Sequence, residues 1–200
     1  RSPYSLATSP TYAKDRLVLL GTGNGIRRST DGGRHWDAVP LTPVSPSKLI
    51  GSFEVRQINF SPDFASDNSC FAVTAAGFYV SKDAGQTWSG KAVPIDWTWR
   101  MAISPTWNKT KTAFLGGYNV WRTDDGGDTW RQLAATGKVL GLLCAPDFET
   151  SGEIYLVSQQ RGLMRSRDRG ETWTAITGSF MGFSPTKLRL SPNFLNDNTV

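Results

Sequence analysis

Short runs of alternating apolar and polar residues recur along the 200-residue chain, and none has the 3.6-residue spacing of an amphipathic helix. The runs are rich in β-branched and aromatic residues, as in CFAVTAAGFYVS and EIYLVSQQRGLMRS. A turn with glycine or other small or polar residues divides each run into two halves. The pattern therefore predicts an all-β chain built from short antiparallel hairpins.

Two sequence markers repeat in step with these hairpins. A proline is followed two residues later by an aromatic residue in SPTY, SPDF, SPTW, APDF and SPNF, and a polar loop is predicted after each. An eight-residue cassette then follows each hairpin, as STDGGRHW, SKDAGQTW, TDDGGDTW and SRDRGETW. The cassettes begin 52, 42 and 43 residues apart. Four strands, named A to D, in a repeat of this length indicate the blades of a β-propeller.

The repeat divides the chain into four complete blades and the start of a fifth. The predicted blades span about 1–40, 53–93, 97–135 and 138–178, and residues 185–200 form the first strand of a further blade. We expect a single propeller domain that is part of a larger ring, because isolated terminal blades would expose strand edges and half of an apolar interface. A four- or five-bladed ring closed by the spare strand is the alternative.

The cassette is predicted to be a turn that serves the blade. Its glycine supplies the positive φ of a tight hairpin, its aspartate accepts hydrogen bonds from the turn amides, and its hydroxyl residue braces the same turn. Its tryptophan contributes apolar surface between blades. One carboxylate per loop is too few for a calcium loop, so no metal is predicted. These structural residues are Ser29, Asp31, Gly33, Trp36, Ser81, Asp83, Gly85, Trp88, Thr123, Asp125, Gly127, Trp130, Ser166, Asp168, Gly170 and Trp173.

The cassette resembles the Asp-box motif, also called the BNR repeat, and its four copies extend the resemblance over essentially the whole chain. Asp-box propellers occur in sialidases, xyloglucanase-type glycosidases, sortilin-type receptors and photosystem II assembly factors. The resemblance implies a propeller whose cassettes join strands C and D on the rim, away from the ligand-binding face. It does not select among these functions, because a fold of this kind hosts several.

Function is expected where the blades differ. In a propeller, the D-to-A and B-to-C connections share one face around the channel mouth, and strand A lines the channel. Alignment of the predicted A strands VRQINF, WRMAI, VLGLLC and KLRL places Arg56 one level before Arg100 and Lys187. These three cations are predicted to approach one another near the mouth, where they could bind an anion or a polar chain.

The stretch PIDWTWR is the second candidate for ligand binding. Asp96, Trp97, Trp99 and Arg100 combine an acid, two aromatic rings and a base, as sites for sugars and aromatic ligands often do. In the alternative interpretation, the two tryptophans pack under the long insert of residues 41–54. Both interpretations place this stretch on the same face as Arg56.

Composition and charge exclude several function classes. The chain is 38% hydrophobic and 20% charged, which is typical of a globular protein, and no apolar run reaches the length of a transmembrane helix. The net charge of +5 is scattered rather than concentrated in a stripe with aromatic residues, so nucleic-acid binding is not predicted. His35, the single histidine, lies within the first cassette, which argues against histidine-based catalysis. No cofactor motif is present.

Two functions remain open. The first is a non-catalytic propeller that presents its loop face to a protein or polysaccharide partner, with the remaining blades supplied by a longer chain or a second chain. The second is part of a sialidase-like or xyloglucanase-like glycoside hydrolase, in which Asp96 and Glu54 supply two carboxylates to one cleft. A sialidase would also need an Arg-Ile-Pro signature, which this sequence lacks. We predict binding without membrane insertion, in the extracellular or periplasmic location that is common among the families resembled.

Overall fold

The predicted all-β class is confirmed by four four-stranded antiparallel sheets. A computed structural model describes residues 3–42, 44, 54–74, 77–93, 100–176, 188–197 and 199–200. The chain divides into two compact units, Arg1–Trp99 and Arg100–Val200, each of which contains two of the sheets. Each unit is described by itself below.

The first unit contains the first two blades. In each sheet the strands pair in chain order, as in the up-and-down meander of a propeller blade. The first sheet consists of β1 (Pro3–Thr8), β2 (Val18–Thr22), β3 (Gly25–Ser29) and β4 (Asp37–Val39). The second consists of β5 (Val55–Phe60), β6 (Cys70–Thr74), β7 (Gly77–Ser81) and β8 (Ser89–Ala92).

The second unit contains the third and fourth blades. The third sheet consists of β9 (Arg100–Ile103), β10 (Ala113–Gly116), β11 (Asn119–Thr123) and β12 (Arg131–Ala135). The fourth consists of β13 (Val139–Cys144), β14 (Ile154–Ser158), β15 (Gly162–Ser166) and β16 (Thr174–Ala175). Residues 188–190, within the predicted strand of a further blade, pair with no strand in the described part of the chain. In each of the four sheets, strand A forms its ladder of hydrogen bonds with strand B of the same blade.

A one-turn helix follows each proline–aromatic marker, where the sequence pattern indicated a polar loop. The helices are α1 (Tyr12–Asp15), α2 (Phe64–Asp67), α3 (Trp107–Thr110), α4 (Phe148–Ser151) and α5 (Phe194–Asp197). A helix of four residues is too short to display a 3.6-residue period, which explains why the pattern does not reveal it. In the described part of the chain, none of these helices approaches the length or apolarity needed to cross a membrane.

A side-chain hydrogen bond closes the marker loop around each of three helices. Ser61 Oγ donates to Asp67 Oδ2 at 2.7 Å, and the other oxygen of this carboxylate accepts the Ser69 amide at 2.7 Å. The same serine-to-aspartate bond measures 2.6 Å at α1 and 2.6 Å at α5. Thr110 and Ser151 occupy the acid's position in the third and fourth repeats. In the first, second and fifth repeats the marker is therefore a second turn closed by a side-chain hydrogen bond.

One backbone hydrogen bond joins each marker helix to the cassette of the same blade. In the first four repeats, the residue after the helix adopts the left-handed conformation and offers its carbonyl to the fourth cassette residue. The four donor–acceptor pairs are Gly32–Arg16, Ala84–Asn68, Gly126–Lys111 and Arg169–Gly152, at 3.0, 2.9, 3.1 and 3.0 Å. The A-to-B and C-to-D connections of a blade are thus held together at one end of the sheet.

Apolar contacts fill the space between the two sheets of each unit. In the first unit, Leu19 and Ile26 join Ile58 and Ala72 of the second sheet in one buried cluster. In the second unit, Phe114 of the third sheet joins Phe148 of α4 and Leu156 of the fourth sheet in one buried cluster. In both units, the facing surfaces of the two sheets therefore bury apolar side chains against each other, as is expected of neighbouring blades.

The contact of Gly170 with the preceding blade predicts a cost for any side chain there. Gly170 has a φ of +93°, and a Cβ there would lie 2.6 Å from Leu133 Cδ1, whereas Gly162 has a φ of +71° and nothing within 4 Å. We expect Gly162→Ala to lower the free energy of unfolding by about 1–2 kcal/mol, the cost of left-handed backbone. Gly170→Ala should cost about 2–5 kcal/mol, because overpacking adds to that strain. Urea denaturation followed by tryptophan fluorescence measures both, and equal losses would contradict the packing argument.

Candidate functional site

The third cassette shows how the Asp-box residues form one hydrogen-bonded turn. Thr123 Oγ1 donates to Asp125 Oδ1 at 2.7 Å and accepts the Gly127 amide at 2.9 Å. The Asp125 carboxylate accepts the Thr129 amide at 3.0 Å and the Thr129 hydroxyl at 2.6 Å. Trp130 Nε1 donates to the Gly127 carbonyl at 3.1 Å. These polar groups form hydrogen bonds with one another inside the turn. The ring of the tryptophan is the group that packs against residues outside the turn.

Two consecutive cassette residues are left-handed, one more than the sequence indicates. The fifth residue is glycine in every copy, and it has the positive φ that the sequence predicts. The fourth residue is also left-handed, including Ala84 with a φ of 56° and Arg169 with a φ of 61°. A non-glycine residue tolerates this conformation at a cost, and the hydrogen bond from its amide to the marker helix holds it there.

His35 occupies the position that threonine has in the other three cassettes. Its Nδ1 lies 2.6 Å from Asp31 Oδ2, where Thr87 and Thr129 place a hydroxyl. The imidazole of His35 therefore substitutes for a turn hydroxyl. This contact accounts for a histidine at this position of the cassette.

Hydrogen bonding inside the cassettes lowers the pKa of the aspartates. The backbone amide of His35, followed by its ring, holds the pKa of Asp31 well below its usual value. The hydroxyl and then the amide of Thr129 have the same effect on the pKa of Asp125. The described residues include no group of three acids, histidines or cysteines that could hold a metal ion.

The four cassette tryptophans differ in burial. Trp88 lies in the apolar cluster of the first unit and is buried, whereas Trp36, Trp130 and Trp173 are partly buried. Three of them donate Nε1 to the carbonyl of the cassette glycine. The Nε1 of Trp173 is buried without a hydrogen-bond partner among the described residues, and nothing in the structure explains this difference.

The opposite end of the blade contains a β-bulge in strand A. The pairing of β1 with β2 shifts between Pro3 and Ser5, and that of β5 with β6 shifts between Val55 and Gln57. The pairing of β13 with β14 shifts between Val139 and Gly141. The bulged residues are Tyr4, Arg56 and Leu140, which share one position in the repeat. A bulge redirects a side chain and is frequent beside binding sites.

Three side chains meet at this level in the first unit. The guanidinium carbon of Arg56 lies 5.1 Å from the centroid of the Tyr4 ring, and its Nη2 forms a short ion pair with Glu54 Oε2. The Tyr4 hydroxyl donates to Glu54 Oε1 at 3.1 Å. Tyr4 is 43% exposed, so its ring is accessible from solvent. We call Tyr4, Glu54 and Arg56 the mouth cluster.

The sequence analysis missed Tyr4, although the signal was available. Tyr4 stands five residues before the marker serine Ser9, as Arg56 stands five before Ser61. The four A strands predicted from the sequence start with the second blade and do not include β1. Including β1 places a tyrosine and an arginine at the same level of neighbouring blades.

Arg100 in the second unit makes a different contact. Its Nε donates to the carbonyl of Leu140 at 2.6 Å, so the arginine reaches the bulged residue of the neighbouring strand A. Arg56 and Arg100 belong to different units. The predicted approach of Arg56, Arg100 and Lys187 stays a prediction, as does the role of Asp96, Trp97 and Trp99. These last three, Lys187 and most of the insert at 41–54 lie outside the described residues.

Glu54 is the described member of the alternative catalytic pair. Both of its oxygens are engaged, one by Arg56 and the other by the Tyr4 hydroxyl. Such a carboxylate is suited to orienting the arginine and the tyrosine. Its proposed partner Asp96 lies outside the described residues. The distance between the two carboxyl groups would distinguish a retaining from an inverting hydrolase.

The lowered pKa of Asp125 predicts an effect on stability that depends on pH. A carboxylate with a depressed pKa stabilises the fold above its usual value of 3.8, and this contribution is lost as the pH falls through the depressed pKa. We expect Asp125→Asn to lower the free energy of unfolding by about 1 kcal/mol at pH 7 and by much less near pH 2. Denaturation series between these pH values measure the difference. Asp128→Asn, which removes the same charge three residues away, is the control, and the same pH profile there would contradict the assignment.

Comparison with known proteins identifies both the repeat and its relatives. The BNR/Asp-box repeat family matches residues 79–89, which contain the second cassette. Over 189 residues the chain is 27% identical to the xyloglucanase Xgh74A of Acetivibrio thermocellus, covering 90% of this chain and 18% of that protein. Over 218 residues it is 26% identical to a xyloglucanase of a Paenibacillus species, covering 90% and 21%. The chain thus spans about a fifth of the length of these relatives.

Solved propeller structures have the same arrangement of strands. The GH74 xyloglucanase from Xanthomonas campestris gives a TM-score of 0.66 at 19% identity, covering 94% of this chain and 33% of that chain. YCF48 bound to D1 peptide gives a TM-score of 0.59 at 18% identity, covering 86% and 54%. At these identities the likeness shows the fold alone. The cassettes, the four meander sheets and these relatives fit the Asp-box (BNR-repeat) β-propeller superfamily.

Proposed function

We propose that this chain is a non-catalytic part of an Asp-box propeller that binds a polysaccharide on the face bearing the strand A bulges. The mouth cluster is the observation that carries the proposal. It places an accessible aromatic ring, a guanidinium and a carboxylate within contact of one another. The names of the relatives favour a polysaccharide over a peptide, since the proteins from Acetivibrio thermocellus and Paenibacillus are xyloglucanases.

The chemistry of the mouth cluster suits a sugar ring. A pyranose has an apolar face of C–H groups and a rim of hydroxyls. The Tyr4 ring offers an apolar surface, and the guanidinium and carboxylate beside it offer donors and acceptors to the hydroxyl rim. Glu54 fixes the orientation of Arg56, which reduces the entropy lost when a ligand orders the arginine.

The remaining candidates are included in the proposal by their position in the sequence repeat alone. Asp96, Trp97, Trp99, Arg100 and Lys187 belong to the same type of connection or to the same levels of strand A by their position in the repeat. An extracellular or periplasmic location is part of the proposal, because an external polysaccharide is met outside the cytoplasm.

A hydrolase is the second candidate function, and the matched xyloglucanases favour it in its xyloglucanase-like form. Hydrolysis requires two carboxyl groups about 5–9.5 Å apart across the scissile bond. Glu54 would have to leave its contacts with Arg56 and Tyr4 to act as acid, base or nucleophile. The engaged state of Glu54 therefore supports binding as the first candidate.

The binding proposal predicts retardation of the protein in gels that contain xyloglucan. We expect Tyr4→Ala to weaken the affinity about tenfold or more, since it removes the exposed ring, and Arg56→Met to weaken it several-fold. Affinity electrophoresis with xyloglucan, with another soluble glucan and without polysaccharide measures these changes. Absence of retardation by any of the glucans, or equal retardation of wild type and Tyr4→Ala, would contradict the proposal.

The first blade offers a matched control for these variants. Tyr12 and Arg16 form a second tyrosine–arginine pair, with the guanidinium carbon 5.5 Å from the ring centroid, at the other end of β1. Tyr12→Ala and Arg16→Met remove the same side chains from the marker end of the blade. We expect neither to change retardation. A loss equal to that of the mouth-cluster variants would attribute the effect to the stability of the blade.

The hydrolase candidate predicts a different result with the same substrate. Incubation with xyloglucan would release reducing ends, and both Glu54→Gln and Asp96→Asn would abolish the release. We expect no release from wild type, and we expect Asp96→Asn to weaken the retardation by xyloglucan, as Tyr4→Ala does. Release that depends on both acids would replace binding by hydrolysis as the conclusion.

A further inference from the structure

The two ends of the sheets in the second unit carry different charges. Every aspartate and glutamate between positions 100 and 200 lies in a cassette or in a connection that contains a marker helix. Arginines at that end pair with these acids, as Arg131 does with Glu171 at 2.6 Å and Arg167 with Glu153 at 2.8 Å. The D-to-A and B-to-C connections form the opposite end, and their described residues include cations but no acid. The electrostatic potential at this end is therefore positive.

The connection between the third and fourth blades, residues 136–138, holds the B-to-C turn of the fourth blade in place. The Gln159 amide donates to the Lys138 carbonyl at 2.8 Å, and the Lys138 amide donates to Gln160 Oε1 at 2.9 Å. Gly137 permits this approach, because a Cβ there would lie 2.3 Å from Gln160 Oε1. Arg161 follows in the same turn and is exposed, and its guanidinium has no partner in the described part of the chain. Lys138 and Arg161 thus belong to two segments that hydrogen bonds hold side by side.

The strand that follows this connection positions an aromatic ring and a third cation. The Val139 amide donates to the Gly117 carbonyl at 2.8 Å, which ties the B-to-C turn of the third blade to the start of β13. Tyr118, the next residue in that turn, is 57% exposed. Arg100 Nε donates to the carbonyl of Leu140 at 2.6 Å, so its guanidinium lies beside the same segment. We call Arg100, Tyr118, Lys138 and Arg161 the basic loop cluster.

We propose that the basic loop cluster binds an anionic sugar of a polysaccharide, one that carries a carboxylate or a sulfate group. A guanidinium binds an acidic group of this kind through two parallel hydrogen bonds, and Arg161 presents its guanidinium to solvent. Lys138 adds a second positive charge from the neighbouring segment. Because the backbone already fixes these segments, less entropy is lost when the ligand binds.

The exposed ring favours a sugar over an acidic peptide as the ligand. A pyranose has an apolar face of C–H groups and a rim of hydroxyls in addition to its acidic substituent. Tyr118 offers an apolar surface to that face, and the exposed Gln159 amide offers a donor and an acceptor to the hydroxyls. The inference rests on the proposed function only in taking a polysaccharide as the ligand. It adds a charged sugar and a separate site in the second unit.

Titration calorimetry of the 200-residue chain with defined trisaccharides tests the proposal. The probes are trigalacturonate, its neutral methyl ester, and a sulfated galactose trisaccharide. We expect trigalacturonate or the sulfated sugar to bind about tenfold or more tightly than the ester, since the ester keeps the rings and removes the charge. The affinity for the charged sugar should fall as sodium chloride is added. The tighter of the two charged sugars identifies the acidic group.

Matched variants locate the site within the second unit. We expect Arg161→Gln to weaken the affinity for the charged sugar about tenfold or more, and Arg161→Lys to weaken it less, because a lysine keeps the charge and loses the paired hydrogen bonds. Tyr118→Ala should weaken it several-fold. Lys109→Gln is the control, since this exposed lysine lies in α3, at the marker end of the third blade.

Four outcomes would overturn the proposal. They are no binding of either charged trisaccharide, equal affinity for the methyl ester, an equal loss in Lys109→Gln, and tighter binding of triglutamate with the same dependence on Arg161, which would assign the site to an acidic peptide. Tyr4→Ala in the first unit should leave the calorimetric affinity unchanged, and a loss equal to that of Arg161→Gln would contradict a separate site. Absence of retardation by xyloglucan would contradict the proposed function alone, because the trisaccharide measurements do not involve that polymer.

Discussion

The backbone hydrogen bond between the cassette and the marker helix is the constraint on which each blade depends. It joins two connections that are about 15 residues apart in sequence, such as Asn68 and Ala84, and it requires a left-handed residue on both sides. Strands A to D can keep their register only if both connections end at the same height. The serine–aspartate bond of the marker and the hydroxyl–aspartate bond of the cassette each hold one partner of this contact in place.

The same cassette residues also form the contact between blades. The left-handed fourth residue uses its amide within the blade and its carbonyl toward an arginine of the preceding blade. The glycine that follows provides the turn conformation and the close approach to apolar side chains. Because each group is already engaged, the cassette has little capacity left for a ligand. This is the physical reason why a structural role is expected for the aspartate that the four cassettes share, and why ligand binding is expected at the other end of the blade.

The sequence revealed those parts of the fold in which a side-chain pattern reports a backbone requirement. Alternation predicted the strands, and glycine and aspartate at fixed offsets predicted the turns. The one-turn helices were missed because four residues carry no period. The left-handed Ala84 and Arg169 were missed because neither residue type favours that conformation, which a tertiary hydrogen bond imposes. At the site, sequence analysis found Arg56 and Glu54 separately, but their ion pair and the Tyr4 ring above it depend on a bulge that no residue type marks.

The strand A bulge separates what the blades share from what distinguishes them. The bulge recurs in β1, β5 and β13 and interrupts the ladder of hydrogen bonds there. Because it recurs, the bulge is a feature of the blade rather than of one ligand site. Its side chain, in contrast, is a tyrosine, an arginine or a leucine. The bulged position can thus take different side chains. The cassette, the marker and the contacts between blades do not change with it. This separation allows one arrangement of strands to present different side chains at the bulged position, which is why we propose the bulged residues, rather than the repeated aspartates, as the positions of function.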